Sequence, residues 1–148
     1  MVLVNMGVKI GTTEMWQERI DAVARGGVEA LADAVMDRWF SKDFLATAEL
    51  AAWRNMLTRT PDDGYAGVSA AISGTDFYTT TASLTLPTLA IAGSEDGATP
   101  PDLVRETAAL VKGSRFELIR GAGHLPCVEK PEEYASILSD FLHAVGHI

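Results

Sequence analysis

Pro87-Thr88-Leu89-Ala90-Ile91-Ala92-Gly93-Ser94-Glu95-Asp96-Gly97 and, further on, Phe116-Glu117-Leu118-Ile119-Arg120-Gly121-Ala122-Gly123-His124-Leu125-Pro126 are the stretches on which the fold turns. Each is a short apolar run that stops at a glycine and opens into a loop with a titratable side chain, which is the pattern of a buried strand and its exit loop. Between them, Thr99-Pro100-Pro101-Asp102 offers an N-cap and a proline in the first helical turn. Leu103, Ala108, Leu110 and Val111 then follow at helical spacing, up to Gly113. Past the second loop, Pro131 opens a last helix with Tyr134, Ile137, Leu138, Phe141 and Leu142 on its apolar side. Strand, helix, strand, helix predicts a parallel α/β layout with right-handed crossovers.

Working back toward the N-terminus, residues 12–86 change period and read as four helices. Thr12 or Thr13 caps the first, with Glu14 in its first turn, Trp16, Ile20 and Val23 on one face, and Gly26 or Gly27 at its end. The second carries Val28, Leu31, Ala32, Val35 and Trp39, and the third Leu50, Trp53 and Leu57. Thr60-Pro61-Asp62-Asp63 starts the fourth, whose stripe is Tyr65, Val68 and Ile72 and whose stop is Gly74. At least two of the three tryptophans are expected to fill a small helical core. Before this zone, Val2-Leu3-Val4 reads as a buried strand with no run-up, which is unusual because termini lie at surfaces. The chain thus divides into a core strand (1–11), a helical segment (12–86) and a C-terminal α/β part (87–148).

Of the 148 residues, 12 are Lys or Arg and 20 are Asp or Glu, a net charge of -8. That balance speaks against nucleic acid and against anionic membrane surfaces as partners. Hydrophobic content of 47% and charged content of 22% are those of a globular domain. No apolar run approaches the roughly 18 residues of a membrane span, and the first residues lack a signal-peptide pattern. The one cysteine, Cys127, cannot make an internal disulfide, so a reducing, cytoplasmic setting is expected. A buried, inert thiol is the expectation for Cys127 itself. The three histidines, with His143 and His147 in the C-terminal tail, assemble no metal cluster, and no phosphate-cradling loop is present.

Asp96 and His124 carry the chemistry. In open parallel sheets, reactive groups collect in the loops past the carboxyl ends of the strands. Either residue alone suits a plain turn or solvent-facing role. Together, after consecutive strands, they bring a carboxylate to an imidazole, the arrangement of a general base whose tautomer the acid fixes.

These residues resemble a known family. Ile91-Ala92-Gly93, Asp96 and Pro100, then Gly121-Ala122-Gly123-His124-Leu125-Pro126, then Glu129, Pro131 and Glu132, resemble the acid and histidine segments of the α/β-hydrolase fold. Upstream, Val2-Leu3-Val4-Asn5, Lys9-Ile10-Gly11-Thr12, Met15-Trp16, Arg25-Gly26-Gly27, Arg38-Trp39-Phe40 and Gly64-Tyr65-Ala66-Gly67 resemble the 3-oxoadipate enol-lactonases within it. The resemblance implies the C-terminal portion of that fold, three parallel strands with flanking helices, carrying a four-helix cap insertion. It implies Asp96 and His124 as catalytic acid and base, and Trp16, Arg19 and Leu125 as substrate-binding residues. Lys9, Arg19 and Arg38 are the cations available to a substrate carboxylate, Arg19 first because it shares the Trp16 helix. The implied reaction opens an enol-lactone by addition of water, a step in aromatic-compound degradation, with no cofactor. Another esterase, a haloperoxidase-like enzyme or a carbon–carbon hydrolase shares the same acid and histidine segments.

The family's nucleophile is a serine in a Gly-x-Ser-x-Gly turn. Residues 1–148 contain no such motif. Gly67-Val68-Ser69-Ala70-Ala71 lacks the second glycine and falls in a helix. The sequence therefore reads as a truncated hydrolase, inactive by itself, whose partner is the missing N-terminal half, or else as an inactive fragment or interaction domain. With no neighbour on one side, the first strand invites self-association.

Overall fold

A computed structural model describes residues 1–148. Three strands, β1 (Val2–Val4), β2 (Leu89–Gly93) and β3 (Arg115–Ile119), form one parallel sheet in the order β1-β2-β3. Val2, Leu3 and Val4 pair with Leu89, Ala90 and Ile91, and Leu89–Gly93 pairs in register with Arg115–Ile119. The central strand is buried along its whole length, as a strand covered on both faces must be. Its alternation decides which helix goes where. Ala90 and Ala92 join Leu3, Val104 and Ala108, the last two on α7 (Pro101–Ala109). Leu89 and Ile91 join Ile119, Ala122 and Phe141, the last on α9 (Pro131–Ala144). Helices thus cover both faces, with the alanines of β2 on the α7 side and its Leu89 and Ile91 on the α9 side. Each fully buried Leu or Ile contributes about 1.5–3 kcal/mol.

Between β1 and β2 the chain forms helices and their connections, with no strand. The four expected helices are present as α1 (Thr13–Gly26), α2 (Ala32–Trp39), α4 (Leu50–Thr58) and α5 (Asp62–Ser73). Two shorter ones join them, α3 (Lys42–Leu45) and α6 (Tyr78–Ala82). The expected second helix is split, because Val28–Leu31 is a 3₁₀ turn ahead of α2. Thr12 caps α1 by accepting from the Met15 N–H, and Gly27 ends it at φ 69°. At α5 the cap is not Thr60. Pro61 takes that position without a side-chain bond, and Asp62 instead accepts from the Val28 N–H at 2.9 Å, tying α5 to the end of α1. Val28, Val35, Met36, Phe40, Phe44 and Leu57 are the buried heart of this segment, with Trp39 and Trp53 packed against it. Two tryptophans therefore do fill a helical core. Trp16 does not, and the stripe on α5 is only partly inward: Tyr65 packs against the core, Val68 is 61% exposed, and Ser69 on the next position is buried.

A short helix that the periodicity does not reveal, α8 (Pro126–Glu129), follows the histidine loop. Cys127 on it is exposed, against the expectation of a buried thiol. No helix is long and apolar enough to cross a membrane.

Candidate active site

Parallel pairing of β2 with β3 sends both exit loops to the same end of the sheet. The Asp96 carboxylate, whose side chain is fully shielded from solvent, meets His124 Nδ1 at 2.9 Å. Its other partners are all donors. Oδ1 accepts from the Ala98 N–H at 2.7 Å and the Thr99 N–H at 2.9 Å. Oδ2 also accepts from the Thr99 hydroxyl at 2.7 Å. A carboxylate surrounded in this way places the imidazole proton on Nδ1 and leaves the Nε2 lone pair free, the tautomer a general base needs. The Thr99 oxygen also lies 3.3 Å from Nδ1, so its hydroxyl braces both members of the pair.

Thr99 was expected to cap α7. It does not, because Pro101 disfavours a helical conformation at the residue before it. Pro100 accordingly sits at φ -53° and ψ 152° as the residue flanking the helix, and Thr99 is released to serve Asp96.

The histidine loop is set by tight backbone contact. A Cβ on Gly123 would run into the Trp39 carbonyl oxygen, and one on Gly93 into the backbone of Ala122 and Gly123. Only glycine allows these approaches. The His124 N–H donates to Trp39 O at 2.6 Å, and the two rings stack with centroids 6.1 Å apart. Trp39, which the periodicity assigns to the helical core alone, is therefore also a wall of the site.

His124, Trp16, Arg19, Arg38, Trp39 and Tyr65 line a cavity of about 220 Å³, closed on the far side by Val68, Ser69 and Ile72 of α5. Most of its lining is apolar, yet it holds two guanidinium groups. Arg19 donates to the Tyr65 hydroxyl at 3.2 Å and lies over the Trp16 ring. Arg38 donates to Gly97 O at 3.1 Å. Burial, then the neighbouring Arg19 charge, lowers the Arg38 pKa, against the pull of Asp96 and Tyr65. An arginine stays charged nonetheless. Neither group is ion-paired to a carboxylate.

Of the substrate-binding expectations, Trp16 and Arg19 lie on the cavity and Leu125 does not. Leu125 packs against the helical core, and α8 starts directly after it. Lys9 is also elsewhere, paired with Asp76 on the surface at 3.3 Å. Sequence reasoning missed Thr99, Trp39 and Tyr65. Helical periodicity assigns Trp39 and Tyr65 to apolar stripes, which conceals that both also face the cavity.

The sequence pattern of the alpha/beta hydrolase family matches residues 2–137. The chain is 32% identical to 3-oxoadipate enol-lactonase 1 of Acinetobacter baylyi over 147 residues, covering 98% of this chain and 55% of that protein. It superposes on the crystal structure of the enol-lactonase from Burkholderia xenovorans with a TM-score of 0.90 at 32% identity, over 96% of this chain and 55% of that one. A thermophilic esterase from Thermogutta terrifontis shares the fold at 23% identity, with a TM-score of 0.88, over 97% of this chain and 55% of that one. The chain spans about half the length of the relatives it matches.

Proposed function

Because this chain belongs to the alpha/beta hydrolase family, we propose that it supplies the acid and base of a carboxylic-ester or enol-lactone hydrolase, Asp96 orienting His124. The contact between Asp96 and His124 at 2.9 Å, on the wall of a cavity with two unpaired guanidiniums, carries this reading. The serine, with the donors that stabilise the developing oxyanion, comes from a segment outside residues 1–148. Nε2 of His124 takes the proton of that serine as its oxygen attacks the carbonyl, then returns it to the departing oxygen. A water activated by the same nitrogen releases the acyl group. Asp96 keeps Nδ1 protonated throughout.

The substrate is an ester or lactone bearing a carboxylate away from the bond that breaks. Arg19 and Arg38 donate to that group in a mostly apolar cavity, where a charge-assisted hydrogen bond is strong. Residues 12–86 serve as the cap that closes over it. The similarity to two enol-lactonases favours the lactone over other esters.

The serine-bearing segment docks as a strand on the free side of β1. The Met1 carbonyl and the Asn5 N–H point to β2. By the alternation of a parallel ladder, Val2 and Val4 then present theirs outward. Beside that edge lies an apolar groove of about 260 Å³ lined by Leu3, Met6, Val8, Phe77 and Leu84.

Complementation tests the proposal. Mixed with the first half of a related hydrolase, the chain is expected to open an enol-lactone. His124→Ala should lower the rate about 10⁶-fold. Absence of turnover at any ratio of the two halves, or turnover indifferent to His124→Ala, rejects it. Alone, the chain is expected to form dimers or larger species through β1. Light scattering that shows a monomer up to high concentration would oppose the edge assignment.

A further inference from the structure

We infer that Asn5 and Glu129 are positioning residues that aim the His124 ring by gripping the two peptide groups that flank Gly123. All four polar groups of those peptides are held, each by a different part of the chain. The Ala122 carbonyl accepts from the Glu95 N–H at 2.8 Å. The Gly123 N–H donates to Glu129 Oε1 at 2.7 Å. The Gly123 carbonyl accepts from Asn5 Nδ2 at 2.8 Å, and the His124 N–H donates to Trp39 O. Two of the four holders are backbone groups. The other two are side chains, and their chemistry is specific.

Asn5 follows β1 directly, is 5% exposed and sits at φ 45°, a left-handed conformation that asparagine tolerates better than most residues. Its amide works from both ends. Nδ2 donates to Gly123 O, while Oδ1 accepts from the Gly93 N–H at 3.1 Å, so one side chain links the start of the acid loop to the histidine loop. An aspartate of the same shape accepts from Gly93 but sets a lone pair against the Gly123 carbonyl. Glu129 is the complementary case. Both its oxygens accept, Oε1 from Gly123 and Oε2 from the Ser41 N–H at 3.0 Å, which joins the histidine loop to the turn after α2. A glutamine of the same shape turns an NH₂ toward one of those two donors. Each position therefore requires its own functional group and not merely its volume.

Because the Gly123 backbone is wedged against Trp39, releasing either grip turns the next residue, His124, away from Asp96 Oδ2. The catalytic meaning of this rests on the acid–base reading above. The ring orientation is measurable without turnover.

Imidazole ¹H–¹⁵N spectra of the 148-residue chain read it directly. The parent is expected to show His124 as the Nδ1–H tautomer with a downfield proton shared with Asp96. Asn5→Asp and Glu129→Gln should each lose that resonance and shift the ring toward the Nε2–H form, while far-UV melts remain cooperative. Glu129→Gln is the safer variant, being only half-buried. Glu95→Gln should keep the resonance, since that carboxylate holds only the Lys42 N–H. Folded variants at both positions that retain the parental signal overturn the inference alone, as does Glu95→Gln losing it equally. A parent without the signal overturns the acid–base pair, and this inference with it.

Discussion

In the loop after β2, Asp96 takes three of its four hydrogen bonds from Ala98 and Thr99, its near neighbours in sequence. The loop after β3 is fixed from a distance. Gly121 donates to the Ser94 hydroxyl at 2.9 Å, Ala122 is held by Glu95, Gly123 by Asn5 and Glu129, and His124 by Trp39. The Asp96 loop organises itself, whereas His124 is held in place by the residue after β1, the Asp96 loop, the end of α2 and α8. A local turn can thus create a buried carboxylate, while an imidazole that must point one way needs supports from the whole fold.

Three substitutions test that contrast. The largest effect is expected at Gly123→Ala. The methyl has no room beside Trp39 O, so the loop must shift, at a cost of about 2–3 kcal/mol in a denaturant melt. Thr99→Val should cost less, about 1–2 kcal/mol, since it removes one donor from Asp96 and leaves two backbone N–H groups on Oδ1. Its effect should stay within the acid loop, with Gly123 and Ala122 amide exchange unchanged by NMR. Were Thr99→Val to cost more than Gly123→Ala, the acid would not be the self-sufficient member. Ser94→Ala sharpens the comparison at the small end. It removes the acceptor of the Gly121 N–H, one remote tether among five, and should cost about 0.5–1.5 kcal/mol by the same melt.

The same contrast explains what the sequence reveals. Strand β2, its glycine and Asp96 follow from local pattern, because alternation and turn chemistry act over a few residues. The strong periodicity of α1, α4 and α9 is legible for the same reason. Asn5 was visible only as text after a strand, since its partner lies 118 positions away. Glu129 was read as part of a motif, with its bond to Ser41, 88 positions distant, out of reach. Leu125 and Thr99 mislead in the opposite sense. Leu125 directly follows His124 yet packs against the helical core, whereas Thr99, with Pro100 flanking α7 in its stead, turns to Asp96.

The close approach of Gly93 to Gly123 has a consequence for how such a molecule can diversify. Neither loop can acquire a side chain at its contact point without displacing the other, so the reactive edge tolerates almost no drift. The facing wall is under no such restraint. Val68 on α5 is well exposed and borders the cavity without packing into the core. The lining of the cavity is therefore open to change at that wall while the Asp96–His124 pair and its two loops stay as they are.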